Sequence, residues 1–150
     1  MILIKHELFK LCEHYVASSI NTIQQVITNA QAAANDETKS SAGDKYETTR
    51  AMMQIEIENN TTQLANFEKM RNVLTRINPD KTSQQIELGS LVITNHGNFY
   101  ISISAGKLTV EDELYFAIST ASPLGSKLIG LSVGKTAQLD KREYLIKEVL

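Results

Sequence analysis

"ETKSSAGDKYETTR", residues 37–50, interrupts a run that otherwise reads as helix from Ile4 to Ile77. Its centre, Ser40-Ser41-Ala42-Gly43, is small enough for a tight reversal, and acids flank it on both sides. Before the break, Cys12, Val16, Ile20, Ile23, Ile27, Ala30 and Ala34 recur at steps of four and three, the seam spacing of a coiled coil. No Gly or Pro occurs from residue 1 to residue 42, as an unbroken helix requires. After the break the pattern resumes with Tyr46, Arg50, Met53, Ile57, Asn60, Leu64, Phe67, Arg71 and Leu74. Asn60 and Arg71 interrupt that seam, and a polar seam residue can fix register or partner choice at a cost in stability. Asp44 is expected to cap the second helix, with Glu47 three residues on completing an Asp-x-x-Glu capping box. Asn78-Pro79 ends it, because the residue before proline avoids helical geometry. Two helices of roughly 30 residues, about 45 Å each, joined by a short loop give an antiparallel hairpin over 1–79 with its tip near 36–47.

Beyond Pro79 the pattern changes period. "IELGSLVIT" (86–94), "FYISIS" (99–104), "LYFAIS" (114–119) and "EYLIKEVL" (143–150) are short, rich in β-branched and aromatic residues, and mostly alternating. "NHGN" (95–98) and "EDE" (111–113) have the composition of turns. In "SPLGSKLIG", Ser122 is placed to cap a short helix, with Pro123 at its first position and Gly130 just past its end. The fold class expected is α+β: an N-terminal antiparallel two-helix coiled-coil hairpin, then a small antiparallel sheet with one short helix over 80–150. The polar linker "NPDKTSQQ" (78–85) marks the boundary. A hairpin this long gains little stability beyond its seam, which suggests that it exists to reach something.

Composition narrows the function. The 150 residues are 42% hydrophobic with net charge −2. Residues 1–79 carry eight Lys/Arg against nine acids, and residues 80–150 carry seven against eight. Such balance argues against strong independent binding to nucleic acid, which needs a basic face. The single Cys12 excludes an internal disulfide framework and makes a structural zinc site improbable. The apolar run at the N-terminus is too short and too interrupted by charge for a signal peptide. With no stretch near the ~18 apolar residues of a membrane span, a cytoplasmic protein is expected.

Several motifs are weak. "GLSVGKT" (130–136) has three residues between its first Gly and the Gly-Lys where a phosphate-binding loop needs four, and reads better as a turn between helix and strand. Cys12 with His6 and His14 does not make a nucleophile site, since these positions point to different helix faces, and a buried Cys is mostly a small hydrophobe. His96, in a turn, reads as solvated. The acids at the break carry more weight. Asp44 and Glu47 suit a helix N-terminus, but Asp36 and Glu37 close the first helix against its dipole, so capping does not explain them. Carboxylates at such a tip can hold Mg²⁺ together with ligands from another molecule.

"SPLGSKLIGLSVGKTAQL" (122–139) followed by "EYLIKEV" (143–149) resembles the C-terminal signature of the GreA/GreB family of bacterial transcript-cleavage factors. Ser122, Pro123, Gly125, Gly130, Val133, Gly134, Tyr144 and Ile146 match that signature position by position. The helical hairpin resembles the family's coiled-coil domain. The resemblance implies an FKBP-like C-terminal domain docking at the rim of the secondary channel of RNA polymerase, which makes Ser122, Pro123, Gly125 and Gly130 partner-binding candidates. It also implies a coiled-coil tip that reaches the polymerase active site. There, tip carboxylates help retain a second Mg²⁺ and orient a water, so that the polymerase cleaves its own backtracked RNA. The resemblance further implies a factor with no cofactor and no enzymatic activity of its own, contacting nascent RNA only indirectly. Aligned on Tyr46, the family's two tip acids fall on Lys39 and Ala42. Asp44 and Glu47 reproduce their three-residue spacing and are the candidate catalytic acids, with Asp36 and Glu37 as alternatives. Two other readings stand beside this one: a channel-binding regulator that does not support cleavage, and an interaction protein whose hairpin self-associates. Prolyl isomerase activity, which the FKBP-like fold raises, needs an aromatic-lined pocket. Residues 80–150 have no Trp and, before Tyr144, only Phe99, Tyr100, Tyr115 and Phe116 to line one.

Overall fold

The computed structural model of the chain describes residues 1–37 and 43–150, with side chains described outside 36–46. Helix α1 spans Ile2–Glu37 and α2 spans Gly43–Thr75, a helical pair on either side of the break. At 1.5 Å per residue, their 36 and 33 residues correspond to about 54 and 50 Å. Both exceed the expected 45 Å because each helix is longer than the roughly 30 residues expected. The α1 seam is as expected: Cys12, Val16, Ile20, Ile23 and Ala30 are buried, and Ile27 and Ala34 half-buried. The stripe extends backwards through Leu8 to Lys5, both buried.

Along α2, Met53, Ile57, Asn60, Leu64 and Phe67 are half-buried at the expected spacing. Arg50 and Arg71 are exposed, and Met70 rather than Arg71 continues the stripe towards Leu74 and Ile77. A straight helix turns every 3.6 residues, so a strict 3.5-residue seam drifts off the buried face over several turns. Asn60 donates from Nδ2 to the Glu56 carbonyl at 2.8 Å, taking its partner from its own helix. α2 begins at Gly43, one residue before Asp44, and the side chain on which the expected Asp44 cap rests lies outside those described.

The chain forms two compact units, Met1–Tyr15 with Met70–Leu150, and Val16–Lys69. The expected division at 79/80 therefore falls inside the first unit. Side chains explain the difference. Cys12 Sγ lies 3.6 Å from Ser102 Oγ, and a Cβ on Gly89 would come within 3.1 Å of Ile77 Cγ2. The first turns of α1 and the last of α2 thus pack with the sheet.

The sheet has six strands: β1 (Leu91–Thr94), β2 (Gly97–Ser102), β3 (Gly106–Val110), β4 (Glu113–Ser119), β5 (Thr136–Leu139) and β6 (Arg142–Val149), in the order β3-β4-β2-β1-β6-β5. It is mixed rather than wholly antiparallel, because β2 and β4 run parallel with Phe99 opposite Phe116. The cause is β3, which occupies the connection between β2 and β4 and pairs antiparallel with β4 at the sheet edge. Residues 86–90, read as the start of a strand, instead form a turn with Gly89 at φ +92° and Ser90 N–H bonded to the Glu87 carbonyl at 3.0 Å. The short helix α3 (Pro123–Leu128) packs Leu124 and Leu128 into a core with Ile86, Val92, Phe99, Ile101, Ala137, Tyr144 and Ile146. Phe99 stacks on Phe116 at 5.8 Å between centroids and meets Tyr144 edge-on at 5.9 Å.

Candidate functional site

The tip acids occupy two helix ends. Asp36 and Glu37 are the last residues of α1, and Asp44 and Glu47 lie in the first five residues of α2. The backbone places the first pair against the α1 dipole and the second with that of α2. Glu47 is exposed. The side chains of Asp36, Glu37 and Asp44 lie outside the described residues, as do Lys39 and Ala42. Among the described residues, no group of three or more His, Cys, Asp or Glu side chains is arranged to hold a metal ion.

The second candidate region, Ser122–Gly130, is fully described, and each motif residue has a local reason. Ser122 caps α3: its Oγ accepts from Gly125 N–H at 3.0 Å and donates to the Ser119 carbonyl at 2.7 Å. Pro123 fills the first helical position, where no N–H is required, and is exposed. Gly125 is buried against that cap, and a Cβ there would stand 2.0 Å from the Ser119 carbonyl oxygen. Gly130 takes φ +84° just beyond the helix, and its N–H bonds the Ile86 carbonyl at 2.8 Å. The structure therefore brings Ser122, Pro123 and Gly125 together at one end of α3 and puts Gly130 at the other. Of the four, Pro123 and Gly130 are exposed and Gly125 is not. The rest of "GLSVGKT" is the turn leading into β5: Gly134, at φ +87°, donates to the Ile146 carbonyl at 2.9 Å.

The His and Cys positions stay apart. Cys12 is fully buried, and burial pushes its thiol pKa up from 9.0, against a smaller opposing effect of Ser102. A protonated, enclosed thiol is a poor nucleophile. His6 Nε2 sits 2.6 Å from Asp80 Oδ1, joining α1 to the linker. His96 is more than solvated: its ring meets Tyr144 edge-on at 5.6 Å beside an open cleft under the β5–β6 hairpin.

Among the buried polar groups that the sequence did not reveal, Lys5 and Tyr100 stand out by size. Lys5 is 1% exposed and donates from Nζ to the Lys81 carbonyl at 2.5 Å. Burial depresses its pKa, and Glu87 acts weakly in the opposite sense. Tyr100 is 0% exposed, and its hydroxyl is the one buried side-chain polar atom without a partner among the described residues. The signal for Lys5 was available, since the α1 seam continued backwards by four and three reaches Leu8 and then Lys5.

No model of a known protein family matches the chain, and no curated protein sequence matches it.

Proposed function

We propose that the chain is a Gre-like transcription elongation factor, which binds RNA polymerase at its secondary channel. Its hairpin tip reaches the active site and stimulates cleavage of backtracked RNA or otherwise modulates elongation. The observation that carries this reading is the Ser122–Gly130 segment. Its four candidate residues form one capped helix on a mixed sheet, in a chain that opens with a long helical pair. The fit of residue to role supports the resemblance where its motif is most specific. In this reading any Mg²⁺ is held mainly by the polymerase, the chain is not itself an enzyme, and its place is the cytoplasm.

A stalled, backtracked elongation complex incubated with the protein and Mg²⁺ tests the proposal. Binding with shortened RNA supports cleavage stimulation, and failure to bind core polymerase sinks the family reading. Replacing Asp44 and Glu47 together, then Asp36 and Glu37, assigns the tip acids; cleavage that survives both double replacements removes them from the mechanism. Binding without shortening favours the non-cleaving regulator, to which Lys39 and Ala42 at the aligned acid positions already point. The self-association reading draws on Met52 and Ile55, which α2 leaves 66% and 57% exposed. It requires a dimer at micromolar concentration, where a Gre-type factor is monomeric.

A further inference from the structure

A small polar pocket of about 250 Å³ lies where the foot of α1 meets the linker, lined by Lys5, Arg76, Asn78, Lys81, Ser83 and the 87–90 turn. Its volume falls below the roughly 300–1,000 Å³ of pockets that enclose drug-sized ligands, so it suits a small ion or a single functional group. Three cationic side chains line it against one carboxylate, Glu87. That carboxylate is engaged, with its Oε1 2.7 Å from Lys81 Nζ, and the neighbouring Asp80 is engaged with His6. Lys5 and Arg76 thus remain as excess positive charge in the lining. Among the described residues, the Lys81 carbonyl is the acceptor that Lys5 Nζ bonds, while an ammonium offers three N–H groups. Glu87, already paired with Lys81, offsets the burial of this ammonium only in part, and an ammonium so buried is costly without a full counter-charge.

Neutral donors complete the lining. Asn78 Oδ1 accepts from Asp80 N–H at 3.0 Å, which leaves its amide NH₂ as the donor side. Ser90 Oγ accepts from Glu87 N–H at 2.9 Å, and Ser90 is itself almost wholly buried, so its hydroxyl proton has the pocket as an outlet. Residues carrying ammonium, guanidinium, amide and hydroxyl donors thus line one small volume, a donor set that matches a tetrahedral oxyanion, with a guanidinium suited to two of its oxygens. We propose that this pocket binds a phosphate group, carried free as inorganic phosphate or as a phosphate monoester. The assignment does not depend on any role at RNA polymerase.

Calorimetric titration of the full chain tests it, with inorganic phosphate in one arm and a nucleoside monophosphate in the other, against chloride at matched ionic strength. Saturable one-to-one binding is expected in at least one arm, and the arm that binds identifies the source of the phosphate. Arg76→Gln, an exposed change, weakens it at least about tenfold through loss of charge-assisted hydrogen bonds. Lys81→Gln weakens it less, because that ammonium is already paired, and Glu87→Gln tightens it by removing the opposing carboxylate. Lys5→Met abolishes binding if the variant folds; if it does not, Arg76 and Glu87 decide. No saturable binding in either arm, or affinities unchanged in both Arg76→Gln and Glu87→Gln, overturns the proposal.

Discussion

Between residues 16 and 69, the described hydrophobic side chains that are buried are Val16, Ile20, Ile23 and Ala30, all on α1, while α2 offers only half-buried ones. The other unit buries aromatic, aliphatic and polar groups on every strand, on α3 and on the feet of both helices. In the sheet unit, identity is dictated by packing and capping. Gly125 has no room for a methyl group, and Ser122 satisfies a helix end. In the hairpin, most positions outside the seam face water, and packing leaves their identities open. The motif residues of the last thirty positions are thus held by packing and capping, while the described positions outside the hairpin seam are not.

The largest expected effect breaks the two units apart energetically. Leu128→Ala removes a fully buried core side chain and lowers unfolding free energy by about 2–5 kcal/mol. Ile57→Ala, on the half-buried α2 seam, costs about 1 kcal/mol. Denaturant unfolding of both variants measures the difference, and amide exchange is expected to open residues 47–69 well below the global unfolding free energy. Equal losses in the two variants would abolish the contrast.

Next in size is Gly125→Ala. The new methyl group must displace the Ser119 carbonyl or the Ser122 hydroxyl, at about 1–3 kcal/mol, and Ser122→Ala costs about 1 kcal/mol through loss of the cap. If polymerase binding falls in Gly125→Ala in proportion to stability alone, this motif acts by holding α3. If exposed Pro123→Ala loses binding while unfolding little, the motif contributes contact as well.

How far the fold was legible follows the same division. The α1 seam and the α3 caps are local chemistry, periodicity in one and helix-end donors in the other, and both could be read residue by residue. β3 and β5 were not read, because "GKLTV" and "TAQL" each bury a single side chain, Val110 and Ala137. Without β3 the connection from β2 to β4 looks like a plain meander, so the parallel pair was missed too. Lys5 was missed because a lysine on an apolar stripe looks like the stripe's end. At the tip, the acids could be named, but neither periodicity nor capping fixes how carboxylates from two helix ends are arranged.

Tyr100 sharpens the comparison from inside the better-packed unit. Its hydroxyl is buried without a partner among the described residues, so Tyr100→Phe is expected to be neutral or to stabilise by up to about 1 kcal/mol at pH 7. The variant also changes the alkaline response. Burial, assisted by the nearby Cys12 and Glu13, raises the phenol pKa well above 10.0, so in the native state it stays protonated where the unfolded chain ionises. Stability is therefore lost as pH rises above about 10, with Cys12 adding a loss of the same sign from about 9. Lys5 works the other way. Its lowered pKa means that the native state binds fewer protons, and stability is regained as pH rises towards 10.5. Unfolding midpoints across pH 8–11 should fall less steeply in Tyr100→Phe than in the wild type, and more steeply in Lys5→Met.

The smallest effect lies at the sheet edge. The β3–β4 turn places Glu111 at φ +52° and Asp112 at φ +63°, between paired residues Val110 and Glu113. Two successive positive φ angles are the geometry of a type I′ turn, which favours Asn-Gly and is strained for a residue such as Glu. Replacing Glu111 by Asn and Asp112 by Gly should therefore stabilise the sheet unit by about 0.5–1 kcal/mol, with β3 kept in register. The change also removes two of three adjacent carboxylates, so Glu111→Gln serves as the control, since it relieves repulsion but not backbone strain. A gain in the double variant that exceeds the control assigns the benefit to the backbone. The hairpin unit, whose described residues include no positive φ, offers no equivalent site, so the same gain should not shift exchange at residues 47–69. If it did, the two units would be coupled more tightly than their separate packing implies.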